Sequence, residues 1–234
     1  MYDFFATGPG TFTFGPVPRF QIVGLNHIIE TNTARPVSIT VTDVSKRGPN
    51  LEGRILVDCS DEHKRYVIGF SYLEARAMAR IASMYISSRG EGDRVYQAYF
   101  GSSPVPHVVA NFDAIVNEND PHGTLSCADP LHQCGGPTAA YTDLSATMKK
   151  IYYCDIFYGF VTHDRLCKGL NANAPNLLAS ATLHQLSHAV VHTDDIASGC
   201  PASLGLAAGN GGIDNAESYS VSPQTPAAYL ELVY

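Results

Sequence analysis

Two histidines stand four residues apart, His184 and His188, in the stretch ATLHQLSHAVVHTDDIASG at residues 181–199. Residues i and i+4 of a helix lie on the same face, with their Cβ atoms about 5–6 Å apart. Imidazole nitrogens are favoured zinc ligands, so this spacing predicts that both rings bind one metal ion. The alternative interpretation is an amphipathic helix that carries histidines and binds no metal.

The third ligand of such an ion is left open by the spacing. A catalytic zinc site needs three protein ligands and one open position. Three residues that follow His188 offer a suitable atom: His192, Asp194 and Asp195. His192 continues the helical stripe of His184 and His188, whereas the two aspartates require the chain to turn back after the helix.

The residue after the first histidine, Gln185, determines what a bound ion could do. A zinc peptidase needs a carboxylate here, because a group must take the proton of the attacking water and pass it to the leaving amine. A glutamine amide can hydrogen-bond that water but cannot take its proton. We therefore expect metal binding with turnover reduced by about 10²–10⁴-fold. Asp194 and Glu217 are nearby carboxylates, and we interpret them as solvated or capping residues.

The composition narrows the class of partner. The chain has 234 residues, 45% of them hydrophobic, which suffices for one sizeable core. The net charge of -7, without runs of Lys or Arg, argues against nucleic acid or an anionic membrane as the partner. No apolar run approaches the roughly 18 residues of a membrane span. The stretch MYDFFATGPGTFTFGPVPRF contains no recognisable signal peptide.

The cysteines are dispersed, and none forms a C-x-x-C pair. Six are present: Cys59, Cys127, Cys134, Cys154, Cys167 and Cys200. An even, dispersed set fits three disulfides formed in an oxidising compartment, with buried free thiols as the alternative. The spacing alone does not select a pairing.

The apolar pattern predicts an α+β fold that is mostly helical. Alternating apolar residues at 36–44 predict a strand. Helical periods predict four helices, at 71–88, 93–101, 105–118 and 176–192. Asp214 followed by Glu217 resembles a capping box that begins another helix. Residues 119–140 are expected to form a loop, and 149–160 a buried strand or an irregular aromatic segment.

Residues 54–221 resemble the deuterolysin (aspzincin) family of fungal zinc endopeptidases. The order of six segments carries the resemblance: VDCS (57–60), LSCADPLHQCGG (125–136), YYCDIFY (152–158), ATLHQLSH (181–188), HTDDIASG (192–199) and DNAESYSV (214–221). The resemblance implies a secreted protein with a zincin-like metalloprotease domain, a small sheet and an N-terminal arm that bears a strand. It divides the chain into the arm, residues 1–53, where a propeptide ends in the family, and a zinc-binding domain, residues 54–234.

The resemblance also implies roles for individual residues. His184, His188 and Asp195 would bind one zinc ion, and a zinc-bound water would hydrolyse a peptide or protein substrate. Gln185 occupies the position of the general base. Ser198 occupies the position of a tyrosine that stabilises the tetrahedral intermediate.

The implied disulfides are Cys59–Cys127 and Cys134–Cys154. In the family, the counterpart of Cys167 pairs with a cysteine near the C-terminus. This sequence has none there, which leaves Cys200 as the partner of Cys167.

The sequence departs from the family at the site itself. Gln185 and Ser198 replace both of the catalytic groups that do not bind the metal, and the stretch from His188 to Asp195 is shorter than usual. The shortened loop keeps Asp194 and His192 as alternative ligands. Three hypotheses follow: a zinc endopeptidase with impaired or lost activity, a non-catalytic zinc-binding pseudoenzyme, and a structural domain stabilised by disulfides that binds no metal.

Overall fold

The structure is a computed structural model that divides the chain into two compact units, Met1–Glu52 and Gly53–Tyr234. In the first unit it describes the backbone of five strands. In the second unit it describes residues 56–118, 123–145, 149–162, 177–209 and 211–222. No helix among these residues is both long and apolar enough to cross a bilayer.

The first unit contains two small sheets. Its strands are β1 (Tyr2–Phe4), β2 (Gly10–Phe14), β3 (Arg19–Ile22), β4 (His27–Glu30) and β5 (Val37–Val41). β3 pairs in parallel with β1 and antiparallel with β4, while β2 and β5 form a separate antiparallel pair. The strand predicted at 36–44 is β5. The sequence pattern did not reveal the other four strands.

The second unit is mostly helical with a small mixed sheet, so the predicted α+β class is confirmed. Its strands are β6 (Leu56–Asp58), β7 (Thr124–Ser126), β8 (Ala140–Asp143) and β9 (Lys150–Tyr153). Its helices are α1 (Glu62–Arg89), α2 (Arg94–Phe100), α3 (Val105–Val116), α4 (Leu178–Val191), α5 (Cys200–Leu206) and α6 (Ala216–Val221). The sheet order is β6-β7-β9-β8, in which β8 alone runs antiparallel to its neighbour.

Two parts of the sequence prediction need correction, and helix α5 was not predicted. Helix α1 begins at Glu62, nine residues before the predicted start, and the Asp61 side chain caps it by accepting from the Lys64 N–H at 3.0 Å. The predicted loop at 119–140 contains strand β7 and ends where β8 begins. The segment at 149–160 combines both predicted forms, because β9 is followed by a 3₁₀ helix at Asp155–Gly159.

Helix α4 is held in the core by apolar packing and by a buried chain of hydrogen bonds. It packs against α1 and α6 and contacts strands β8 and β9. The Tyr153 hydroxyl on β9 donates to Thr182 Oγ1 at 3.3 Å, and Thr182 Oγ1 donates to Ser71 Oγ on α1 at 2.9 Å. All three side chains are buried. Each such bond contributes about 1 kcal/mol and fixes the rotation of α4 about its axis.

Two disulfides join the sheet to its loops. Cys59–Cys127 links the ends of the parallel neighbours β6 and β7, and Cys134–Cys154 ties the loop before β8 to the end of β9. The third implied pair is corrected, because Cys200 is a free cysteine whose sulfur lies 3.2 Å from the Tyr99 hydroxyl. Cys167 lies outside the described residues.

The two disulfides are expected to contribute unequally to stability. Their cysteines are 68 and 20 residues apart, so the first restricts the unfolded chain more than the second. Removing Cys59–Cys127 by double serine substitution is expected to lower the free energy of unfolding by about 4 kcal/mol, and removing Cys134–Cys154 by about 3 kcal/mol. Urea denaturation measures both values, with Cys200→Ser as a control that breaks no disulfide. A larger loss from the second pair would contradict the chain-entropy explanation.

Candidate metal centre

Helix α4 presents the His184 and His188 rings on one face, as the four-residue spacing predicts. Their Nε2 atoms lie 3.1 Å apart, and the ring planes are nearly perpendicular at 81°. His188 is buried, and His184 is mostly shielded from solvent. Both rings therefore point their Nε2 atoms at one position beside the helix.

A tight turn after α4 brings Asp195 to that point. His192 caps the helix in the left-handed conformation, at φ 60°, and its N–H donates to the Ser187 carbonyl. Glycine adopts this conformation with the least strain, and histidine is one of the few other residues that tolerate it. Asp195 Oδ1 then lies 2.9 Å from His184 Nε2 and 3.3 Å from His188 Nε2.

The alternative third ligands lie elsewhere. Within the described part of the chain, the His, Cys, Asp and Glu side chains grouped closely enough to hold a metal here are His184, His188 and Asp195, whose donor atoms lie within 4.8 Å of one another. Asp194 and His192 are exposed and are not part of this group. The Asp194 backbone instead pairs with the segment before α6, where its N–H donates to the Asp214 carbonyl at 2.8 Å.

The hydrogen bonds on the far side of each ring determine which atoms face the centre. His188 Nδ1 lies 2.6 Å from the Thr193 carbonyl oxygen, which only accepts, so Nδ1 carries the proton. His184 Nδ1 lies 3.1 Å from Glu217 Oε2, and the same reasoning applies. In neutral rings both Nε2 atoms therefore direct a lone pair at Asp195 Oδ1.

Three electron-pair donors facing one another require a cation between them. Tetrahedral zinc with bonds of about 2.0–2.1 Å to nitrogen separates its ligand atoms by about 3.3 Å. The observed separations of 2.9, 3.1 and 3.3 Å come close to this geometry. Two imidazoles and a carboxylate are also ligands that zinc favours, so these residues fit the ion that the sequence predicts.

The same cluster strongly perturbs the acid–base behaviour of its members. Burial lowers the pKa of His184, but hydrogen bonds to Asp195 and Glu217 outweigh it and raise the pKa to about 9. Hydrogen bonds from His184 and His188 hold the pKa of Asp195 well below its usual range. The concentrated negative charge therefore attracts a cation, which is a proton when no metal is bound.

The loop that bears Asp195 is fastened on both sides to one short segment. Ahead of Asp195 the Asp194 backbone pairs with that segment, and after it the Ala197 N–H donates to Asn215 Oδ1 at 3.0 Å. Asn215 is fully buried, and its amide also donates to Ser203 Oγ and Ser218 Oγ. The position of Asp195 therefore depends on residues about twenty positions later in the chain.

Glu217 has a different role from the predicted one. The expected capping box is wrong, because α6 is capped at Asn215 without a side-chain hydrogen bond. Glu217 instead accepts from His184 Nδ1 and lies on the side of the ring away from Nε2. It is therefore poorly placed to replace the missing general base, and the sequence pattern had not revealed its contact with His184.

The two positions that the family resemblance assigns to catalytic groups, Gln185 and Ser198, differ in environment. Gln185 is buried, and its Oε1 accepts from the Thr142 hydroxyl on β8 at 2.8 Å. Ser198 is exposed on the loop before Gly199. Thus the Gln185 amide is tied to the sheet, whereas the Ser198 side chain stands on an exposed part of the loop.

The helix with paired histidines, the returning aspartate and the small mixed sheet define a zinc metallopeptidase-type fold. The sequence matches the aspzincin family, described as lysine-specific metallo-endopeptidase, over residues 85–221, which is more than half of the chain. The chain belongs to the aspzincin family, and the resemblance seen in the sequence is confirmed. Among curated proteins, none matches the sequence significantly.

A solved structure supports the same fold. The zinc peptidase from Grifola frondosa superposes with a TM-score of 0.55 at 15% sequence identity. The match covers 71% of this chain and 98% of that protein. At this identity the likeness extends to the fold, and the chemistry depends on the side chains present in this chain.

Proposed function

We propose that the chain is a secreted zinc-binding aspzincin whose peptidase activity is impaired or lost. The observation that carries the proposal is the triangle of His184 Nε2, His188 Nε2 and Asp195 Oδ1, with Gln185 beside it on the same helix. The triangle favours a bound zinc ion. The glutamine removes the group that would move protons during hydrolysis.

The side chains set the limits of the chemistry. A zinc ion would polarise a peptide carbonyl and lower the pKa of a water molecule to about 7. Gln185 can orient that water by hydrogen bonding but cannot accept its proton. The absence of this proton transfer should lower the rate of hydrolysis by about 10²–10⁴-fold. Ser198 is shorter than tyrosine and cannot place a hydroxyl at the same point. Peptides that contain lysine are the substrates to test first, since the family is described as lysine-specific.

A second candidate is a pseudoenzyme that binds zinc without catalysing hydrolysis. The Gln185–Thr142 hydrogen bond favours it, because a lone pair of the amide oxygen is occupied and does not orient a water molecule. Secretion is proposed on the basis of the two disulfides, which form and persist in oxidising compartments.

Zinc content and proteolysis together test the proposal. Carefully purified protein should contain about one equivalent of zinc, whereas less than about 0.1 equivalent would favour a metal-free structural domain. Cleavage of a denatured protein substrate should be slow or absent and should stop with a chelator. Rapid cleavage would show that Gln185 does not impair the enzyme. No cleavage by the zinc-loaded protein would favour the pseudoenzyme.

A further inference from the structure

Glu217 contacts both segments that carry the proposed metal ligands. Its Oε2 accepts from His184 Nδ1 on α4 at 3.1 Å, and its Oε1 accepts from the Gly199 N–H at 3.3 Å. Gly199 ends the loop that bears Asp195. The carboxylate is 21% exposed, so water competes weakly for these bonds.

The contact with His184 fixes the orientation of the ring. An imidazole that rotates by half a turn exchanges the positions of its ring nitrogens and carbons, and the lone pair then points away from the centre. For His188 the Thr193 backbone carbonyl prevents this rotation, and no side-chain substitution removes that acceptor. For His184 the corresponding acceptor is the Glu217 side chain, so a substitution can remove it.

The contact with Gly199 fixes the loop. Gly199 has a positive φ of 77°, so the chain turns sharply where its N–H meets the carboxylate. The loop is already held at Asp194 and Ala197, and Glu217 provides the last anchor before α5 begins. One carboxylate therefore fastens the helix and the loop to the same point.

We infer that Glu217 is a positioning residue that sets metal affinity by holding His184 and the Asp195 loop in register. The inference rests on the proposed zinc binding and goes beyond it. A carboxylate behind a ligating histidine orients the ring and makes it a stronger donor, and removing such a group weakens metal binding by about 10- to 100-fold. Glu217 does not touch the reacting atoms and takes no proton from them.

Three substitutions test the inference. Glu217→Ala removes both contacts and should weaken zinc binding by about 10- to 100-fold. Glu217→Gln keeps the size of the side chain but has one carbonyl oxygen for two donors. Its loss of zinc affinity should therefore be intermediate. Asp214→Asn is the matched control, because it removes the same charge from an exposed carboxylate three residues away. Its affinity should stay within about 2-fold of the original, since the contacts behind His184 are unchanged.

The measurements separate positioning from general stability. Zinc affinity is measured by competition with a chromophoric chelator, ligand geometry by the cobalt(II) absorption spectrum, and stability by thermal unfolding of the metal-free protein. We expect weaker binding and a changed cobalt spectrum in both Glu217 variants, with an unfolding midpoint close to the original in Glu217→Gln. Unchanged affinity in Glu217→Ala would overturn the inference, and so would an equal loss in Asp214→Asn. If the unsubstituted chain binds no zinc, the proposed function fails first and the inference fails with it.

Discussion

Replacing Gln185 with glutamate is expected to raise the rate of peptide hydrolysis by about 10²–10⁴-fold. The substitution restores a carboxylate next to His184, where a proton can be taken from the attacking water and passed to the leaving amine. The Thr142 hydroxyl can donate to a carboxylate as it does to the amide oxygen, so the contact between α4 and β8 should persist. Cleavage of a denatured protein substrate, with and without a chelator, measures the gain.

Two controls make this result specific. Gln185→Ala removes the amide without adding a carboxylate and should give no gain. Gln185→Glu combined with His188→Ala keeps the carboxylate, removes a proposed ligand and should be inactive. If Gln185→Glu alone gains nothing while it still binds zinc, Ser198 and the short loop have already abolished catalysis. If the unsubstituted chain cleaves as fast as the Glu variant, the interpretation of Gln185 is wrong.

Replacing His188 with alanine is expected to weaken zinc binding by more than about 100-fold, beyond the usual effect of losing a supporting residue. The substitution removes one of three converging donors and leaves the Thr193 carbonyl without its buried partner. His192→Asn is the matched control, because this exposed histidine lies four residues further along the chain and asparagine tolerates its left-handed backbone conformation. Competition with a chelator compares the two affinities, and circular dichroism establishes that both variants fold.

The aspartates provide a second matched pair for the same measurement. Asp195→Ala should weaken zinc binding strongly, while Asp194→Ala should change it little, because the Asp194 side chain is not part of the group of donor atoms and its backbone anchors the loop. The opposite order would place Asp194 in the ligand set and require the loop to rearrange around the metal. An equal loss of zinc affinity in His188→Ala and His192→Asn would contradict the geometry of α4.

Helices α1 to α4 were predictable because their apolar residues recur with a helical period, whereas α5 was not predicted. Helix α4 was expected at 176–192 and found at Leu178–Val191, and the pairing of His184 with His188 follows from that element alone. The first nine residues of α1, EHKRYVIGF, were missed because EHKR has no apolar period and YVIGF is a short apolar run that does not distinguish a helix from a strand. Strands β7 and β8 are three and four residues long, too short for an alternating pattern to stand out.

The remainder of the centre depends on contacts between distant parts of the chain. Spacing could not select Asp195 over Asp194, because the choice is made by backbone pairing of Asp194 with Asn215. The same is true of Glu217, whose sequence position indicated a helix cap although its carboxylate reaches α4. The family resemblance implies Asp195 as the third ligand, and the fold explains why Asp195 rather than Asp194 lies beside the two histidines.

The three proposed ligands lie within twelve consecutive residues, from His184 to Asp195. An unfolded chain keeps such neighbours close together, since closing a loop this short costs little entropy. Denatured protein can then retain some affinity for zinc, and binding to the unfolded state subtracts from the stabilisation that a ligand provides. The metal should therefore protect this protein against heat less than its affinity for the native state implies, and a heated sample can keep its zinc after its tertiary structure is lost.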